Sequence, residues 1–556
     1  MSKYVLAYDI GTTGVKTCIF EIDKTIKLID ATSEGYGLYI MPDGGAEQDG
    51  DEWWNAMAKS TKELLLRPAI TEAGITASDI AGISFCSQMQ GMVLVDKDGN
   101  AVRRPMSYMD QRAKEEIKEG IAYGTQIAGA NIKKLIPSLQ ITGAVSSSVK
   151  DPMWKFKWVE KHEPEIFAKA KYWLDVKDYL TGRCTGQFKA TQDSAFATLL
   201  YDTRKGKEGW SETLCKMFDI KMELLPPIIK STDIVGGLSA KAAAELGLVP
   251  DIPVFGGGGD SSLIGVGAGC VKVGDTHIYS GTSGWVITVT DKQTVDVNAM
   301  IAAIVGAVDG KFNYFAEMET AGKAIEWALK KIVFDEVGYY SEGAEAASAS
   351  VSEGTSDGTS VGAADKLKTG DAFAFMTDAI NDVPAGSNGV IFTPWLHGNR
   401  CPFEDPDSTG MYFGLNLETT KAEIFKATVE GVFYHLRWML ECQAAKVRTS
   451  DSVRFVGGSA LSPAFCQMLA DITGRKIETV ASPQNVGSVG AAAVTAVGLG
   501  LIGSIEDVAA FIPAEHIYTP DMQVHAQYER YFETFKKIYK SNKKLYKIVK
   551  GEKADE

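Results

Sequence analysis

The chain has no pair of cysteines in C-x-x-C spacing. Its eight cysteines (Cys18, Cys86, Cys184, Cys215, Cys270, Cys401, Cys442 and Cys466) are scattered over 556 residues. That pattern argues against a disulfide framework or a ribbon-type zinc site. It reads as free, buried thiols in a reducing cytoplasm. Histidine is scarce, with six residues and no H-x₃-H spacing that would suit a metal. No uninterrupted apolar run reaches the ~18 residues of a membrane-spanning helix. The apolar run over 4–8 is too short for a signal peptide and stops at Asp9. Positive charge is also in short supply: 57 Lys and Arg face 71 Asp and Glu, a net charge of −14. This acidic balance excludes a bulk nucleic-acid or anionic-membrane binder, although a local anion site remains compatible with it. Two common nucleotide motifs are missing. There is no G-x-x-x-x-G-K-[ST], and no G-x-G-x-x-G follows an N-terminal strand with a distal acid.

What is present is an ordinary globular composition, 45% hydrophobic and 23% charged, which excludes global disorder and fibrous classes. The length calls for at least two domains. Strand-like and helix-like segments alternate, which predicts an α/β architecture. Strands are expected over 4–8, 15–20, 80–84, 92–95, 276–280, 285–289 and 453–456. Helical spacing runs over 151–171, with Pro164 starting a second helix, and over 420–446. A polar, Lys/Tyr-rich helix is expected over 524–548. The stretch 342–365 is small and polar, and reads as a flexible insertion.

The glycines carry the main clue. Ten of the 56 fall within residues 255–284. An internal echo accompanies them. Gly11-Thr12-Thr13-Gly14 and Gly281-Thr282-Ser283-Gly284 each lie between two apolar strands, 270 residues apart. Glycine turns of this kind, reaching positive φ, expose backbone N–H groups. Their threonines and serine add hydroxyl donors, and together these can cradle phosphate without a basic patch. Between the two turns, Gly256 to Gly259 precede Asp260 and deliver one carboxylate from a sharply bent backbone. Gly457-Gly458-Ser459-Ala460 stands between a strand and a helix, where an anionic or flat ligand approaches a helix N-terminus.

These motifs resemble, in order and spacing, the carbohydrate kinases named after their F-G-G-Y signature, in the actin, sugar-kinase and heat-shock ATPase superfamily. The likeness runs from about residue 4 to 545. It is carried by D-I-G-T-T-G-x-K at 9–16, A-E-Q-D-G-D-E-W-W at 46–54, Q-M-Q-G at 88–91 and M-D-Q-R at 109–112. It continues through E-P-E-I-F at 163–167, K-D-Y-L-T-G at 177–182, G-G-G-D at 257–260, G-T-S-G at 281–284, P-W-L-H-G-N-R at 394–400 and G-G-S-A-L-S-P at 457–463.

The resemblance implies two ribonuclease-H-like lobes, the actin-like ATPase fold, around a central cleft. They are expected at 1–254 (sugar and first phosphate motif) and 255–520 (nucleotide), with a terminal helix and tail at 521–556. It implies an ATP-dependent, Mg²⁺-assisted sugar kinase of the cytoplasm. Asp260 is then the catalytic base, also touching substrate, and Asp9 organises the metal. Gly11, Thr12, Thr13, Lys16, Gly281, Thr282, Ser283, Gly322, Gly457, Gly458, Ser459, Ala460 and Ser462 surround the nucleotide. Gln88, Met89, Gln90, Tyr108 and Asp110 line the sugar site. His397 reads as a structural hydrogen bonder. The expected substrate is a small sugar or polyol, with no nucleic acid or membrane partner. Oligomeric state is not legible from the chain, and a homodimer is expected by analogy alone. Gln88-Met89-Gln90 is similar to the Q-M-H of xylulokinases, with Gln90 in place of the histidine. Tyr108 replaces a usual tryptophan. D-xylulose is thus one expectation. Ribulose, fuculose, gluconate, erythritol and an autoinducer-2-like acceptor stay open, as does a non-catalytic actin-like nucleotide switch.

Overall fold

A computed structural model describes residues 3–127, 129–334 and 369–550. The polar stretch at 342–365 lies outside the described residues. Two sheets organise the chain. The first contains β1 (Lys3–Ile10), β2 (Gly14–Ile22), β3 (Ile26–Gly35), β4 (Ile80–Ser87) and β5 (Pro253–Phe255). The second contains β6 (Thr276–Ser280), β7 (Gly284–Thr290), β8 (Phe312–Met318), β9 (Ser452–Val456) and β10 (Lys476–Val480).

Their orders correspond strand for strand. The first sheet runs β3-β2-β1-β4-β5 and the second runs β8-β7-β6-β9-β10. In each, the first three strands form an antiparallel meander, and the last two lie parallel to the first strand. This is the ribonuclease-H-like arrangement, present twice. The sequence echo at Gly11 and Gly281 is therefore a topological echo. Each G-T-[TS]-G turn links strands one and two of its sheet.

The strands form where apolar residues recur and end at glycine turns. Central β7 is buried along its whole length and β1 over Val5 to Tyr8, as strands covered on both faces must be. The helices used below are α1 (Gly50–Leu65), α2 (Pro152–His162), α3 (Val176–Thr185), α4 (Asp260–Gly267), α5 (Gly322–Ala328), α6 (Lys421–Ala444), α7 (Pro463–Thr473), α8 (Val486–Gly498) and α9 (Met522–Val549). The 151–171 expectation resolves into α2 and a second, one-turn helix at Pro164–Phe167 that Pro164 starts, as expected, since it cannot donate into the first. α6 starts with a capping box in which Thr420 and Glu423 bond each other's backbone N–H. α9 is less polar than its composition suggests. Tyr528, Phe532, Phe535, Ile538, Tyr539 and Tyr546 form one buried face against α6, spaced at helical intervals that leave the lysines outside. Among the described residues no helix is long and apolar enough to cross a membrane. All eight cysteines are free, and seven are buried.

α8 comes late in the chain yet packs on β1 and β4 of the first sheet and against α4. The two helices touch backbone to backbone. A Cβ at Gly267 would lie 1.9 Å from the Val486 carbonyl oxygen, and one at Gly490 would lie 2.1 Å from that of Leu263.

Candidate active site

Asp9 stands near the end of β1, opposite Lys16 on β2 and Cys86 on β4. Burial raises its carboxyl above the usual range, and Lys16 is the main cation opposing that shift. Asp9 has no ion-pair partner among the described residues. Lys16 spends its own ammonium on the Gln484 carbonyl, 2.8 Å away. Thr12 and Ser283 are half-buried, and Thr13 and Thr282 are exposed at the turn tips.

The turn glycines serve a different purpose from the one expected. None of Gly11, Gly14, Gly281 or Gly284 has positive φ. They are needed for close approach. A Cβ at Gly14 would fall 2.9 Å from the Glu34 carbonyl oxygen, and one at Gly284 would fall 2.8 Å from the Ala321 Cβ. In the second turn the Gly281 carbonyl accepts from Gly322 N at 2.8 Å, and the Thr282 carbonyl accepts from Ala321 N at 3.1 Å. The turn is thereby docked on the start of α5.

Left-handed glycines occur instead at Gly257 (φ +65) and Gly457 (φ +96). A Cβ at Gly457 would meet the Ser280 carbonyl oxygen at 2.5 Å, while one at Gly458 would meet nothing within 4 Å. Ser459 bonds Ser280 through their hydroxyls at 2.8 Å. Ala460 is buried, and the Ser462 hydroxyl caps α7 by accepting from Phe465 N. One short turn ties both halves together: Pro483 O accepts from Gly457 N at 2.8 Å, Gln484 O holds Lys16, and Gly487 lies against Asp9, where a Cβ would come 3.0 Å from Oδ2. Nothing in the sequence marked this turn.

Asp260 is the first residue of α4, at the end of the glycine run. One carboxylate oxygen accepts from Ser261 N at 2.7 Å. Burial pushes its carboxyl up to about 7; the Ser261 N–H opposes this, while the charges of Asp9, Glu317 and Asp175 add to it. Asp193, which sequence reasoning missed, fixes the loop from behind by accepting from Gly259 N at 2.8 Å.

Met89 packs directly on this loop. Its sulfur accepts from the Ser261 hydroxyl at 3.1 Å, and a Cβ at Gly259 would lie 2.1 Å from it. Gln88 is buried and donates to Gln48 Oε1 at 2.9 Å, and Gln48 donates on to the Thr12 carbonyl at 2.7 Å. The Gln88 Oε1 finds no hydrogen-bond partner among the described residues. Gln90 adopts φ 60. The Tyr108 hydroxyl reaches Thr12 Oγ1 at 3.4 Å. Burial raises the phenol's pKa, and the Asp260, Glu317 and Glu319 charges contribute. Asp110 is placed differently from the sugar contact expected of it. It is fully buried, paired with Arg112 at 2.7 Å, and accepts from Ala46 N at 2.9 Å. Its acceptor capacity goes to the wall rather than the pocket. His397 is exposed and makes no hydrogen bond among the described residues. Asn399 holds that signature segment instead, donating to Cys401 O and Phe403 O at 3.0 and 2.9 Å. Arg400 in the same segment pairs with Glu317 at 2.6 Å and Glu319 at 2.9 Å.

The site therefore joins a desolvated carboxylate with a near-neutral pKa, a second carboxylate short of counter-charge, and three glycine turns. That set suits proton abstraction beside a bound phosphate and metal. Known proteins share the fold. The N-terminal domain model of the FGGY family of carbohydrate kinases matches residues 4–267, and its C-terminal domain model matches 277–499. A xylulose kinase of Staphylococcus epidermidis is 28% identical over 547 residues, covering 98% of each chain. Among solved structures, a ligand-bound xylulose kinase from Lactobacillus acidophilus aligns with a TM-score of 0.80 at 22% identity, covering 98% of this chain and 100% of that one. A gluconate kinase from the same organism aligns with a TM-score of 0.79 at 23% identity, covering 98% of each. With both domain models matched in order over most of its length, the chain belongs to the FGGY family of carbohydrate kinases.

Proposed function

We propose that this kinase transfers the γ-phosphoryl group of ATP to a hydroxyl of a ketopentose such as D-xylulose. The observation that carries the reading is Asp260, a half-buried carboxylate raised to about 7 by desolvation at the start of α4, next to Ser261, which bonds Met89, and within the field of Asp9. A base titrating near 7 can take the acceptor's proton at working pH. Only one of its oxygens is held by Ser261 N, which leaves the other for the hydroxyl. Xylulose kinases among the relatives support the acceptor class.

Asp9 fits a cation. It is half-buried, desolvation raises its pKa, and among the described residues it lacks an ion-pair partner. Among the described residues no group of three or more His, Cys, Asp or Glu could hold a metal unaided. Mg²⁺ would thus draw most of its ligands from phosphate and water. When bound, the metal and nucleotide supply charge neutralisation and the transferable phosphoryl group. Thr12, Thr13, Thr282 and Ser283 offer hydroxyls to the phosphates, and the Gly457–Gly458 turn leaves room for the nucleotide.

Electrostatics favour a neutral sugar over a sugar acid. The charges of Asp9, Glu317 and Asp175 all reach Asp260. Arg112 and Arg400 are already paired with carboxylates. A gluconate carboxylate would enter this acidic field with both of those guanidinium groups already neutralised, and the ammonium of Lys155 is turned to backbone carbonyls. ADP release across pentuloses, hexuloses, gluconate, glycerol and erythritol tests the reading. D-xylulose or a close ketose is expected to give the highest kcat/KM. A preference for gluconate would overturn the acceptor assignment, and no stimulation by any sugar would overturn the kinase reading of this site.

Gly458→Ala adds a methyl group to open space. It is expected to raise the ATP KM severalfold with an unchanged thermal midpoint. An unchanged ATP KM would remove this turn from the nucleotide site.

A further inference from the structure

Beneath the acceptor pocket lies a buried cation that neither the phosphate chemistry nor the base requires. Lys155, on α2, is 0% exposed. Among the described residues its ammonium pairs with no carboxylate. It donates to two backbone carbonyls, Gln90 O at 2.6 Å and Ser107 O at 2.9 Å. Those carbonyls belong to the two walls of the pocket, the 88–91 loop and the 107–110 segment. Gln90 is held from its other side as well. Its N–H and that of Gly91 donate to the Asp175 carboxylate at 3.1 and 2.9 Å. The left-handed backbone of Gln90, φ 60, is thus clamped between a buried cation and a buried anion. Such a conformation persists in a non-glycine residue only when its surroundings over-determine it.

We propose that Lys155 is a positioning residue for the sugar acceptor, setting the separation and facing of the two pocket walls through their carbonyls. This inference rests on the acceptor pocket proposed above. The conformation of Gln90 aims the side chain that differs from the xylulokinase histidine, and Ser107 leads directly into Tyr108. A single ammonium therefore couples both departures from that pattern.

The frame is also sensitive to pH. Burial pushes the Lys155 ammonium down to about 8. The charges of Asp110, Asp175 and Asp151 hold it up, and Lys150 pushes it down further. Of those acids, Asp175 has its own carboxyl raised to about 7 and Asp151 to about 6, while Asp110 is tied to Arg112, which also pairs with Glu47. Asp175 and Asp151 are thus charged by the time the ammonium loses its proton. The neutral amine retains N–H donors but not charge assistance, so both wall contacts weaken.

Steady-state kinetics from about pH 7 to 9 test this. The acceptor KM of the wild type is expected to rise above about pH 8 while the ATP KM stays level. Lys155→Arg keeps a permanent cation and is expected to abolish that rise. Lys155→Met is expected to raise the acceptor KM about tenfold at every pH, with the ATP KM within about twofold. If Lys155→Met does not fold, the wild-type profile and Lys155→Arg still decide. A wild-type acceptor KM that is flat to about pH 9 overturns the inference, as does a Lys155→Arg profile that keeps the rise. If the wild type phosphorylates no sugar, the parent reading fails. If it phosphorylates one with an acceptor KM indifferent to pH and to Lys155, only this inference fails.

Discussion

Asp260→Asn is expected to lower kcat by about a thousandfold, within the range for loss of a general base, with nucleotide affinity unchanged. Asparagine keeps the size of the side chain and can still accept from Ser261 N, as the carboxylate does at 2.7 Å. What disappears is the ability to accept the hydroxyl proton. The pH profile makes the same test independently. The Asp260 carboxyl is raised to about 7, chiefly by burial. Below that pH it is protonated and cannot act as base; above it, the carboxylate is present. Wild-type kcat/KM for the acceptor should therefore climb about tenfold per pH unit up to about 7 and hold level until the acceptor KM rises above about pH 8. The residual activity of Asp260→Asn should lack that limb. Activity within tenfold of wild type, or an unchanged acid limb, would remove Asp260 as the base. Isothermal titration with an ATP analogue separates lost chemistry from lost binding.

Gly267→Ala should be the most damaging single methyl in the protein. Its Cβ would sit 1.9 Å from the Val486 carbonyl oxygen and 2.8 Å from Gly490 N. Both are backbone atoms, so no side chain can swing away. Either α4 or α8 must shift. α8 is wedged on β1 and β4, while α4 carries Asp260 in its first turn. A cost of about 3 kcal/mol is expected, at the upper end for overpacking, seen as a lower thermal midpoint and a large loss of kcat. Gly458→Ala, in open space, is the matched control. A Gly267→Ala protein with wild-type stability and turnover would mean that the two helices do not transmit their contact to the base.

Both G-T-[TS]-G turns were legible because they are local. A strand, four small residues and a strand leave little freedom, and the same four letters recur. Their glycines were misread in one respect. Positive φ was expected there, but the glycines are needed for close backbone approach to β3 and α5, a property of neighbours distant in the chain. Asp260 was legible from its glycine run. The acids that move its pKa to about 7, Asp9, Glu317 and Asp175, are spread over the chain, and only folding brings them together. Asp110 and Lys16 show the opposite limit. Their types suited a sugar contact and a phosphate contact, yet each meets a nearer partner in the fold: Arg112 for Asp110 and the Gln484 carbonyl for Lys16.

By itself, then, the sequence determined the class of fold, the duplicated glycine turns and the place of the Asp260 carboxylate after its glycine run. These depend on hydrophobic period, glycine and short-range order, which the chain carries in consecutive residues. Tertiary structure alone decided how the site is electrostatically tuned and framed. That includes the turn at 482–487 that meets both halves, the α4–α8 backbone contact and the Lys155–Asp175 clamp on Gln90. Each joins groups tens to hundreds of residues apart. Desolvation and charge act through distance in space, and no spacing along the chain records that distance.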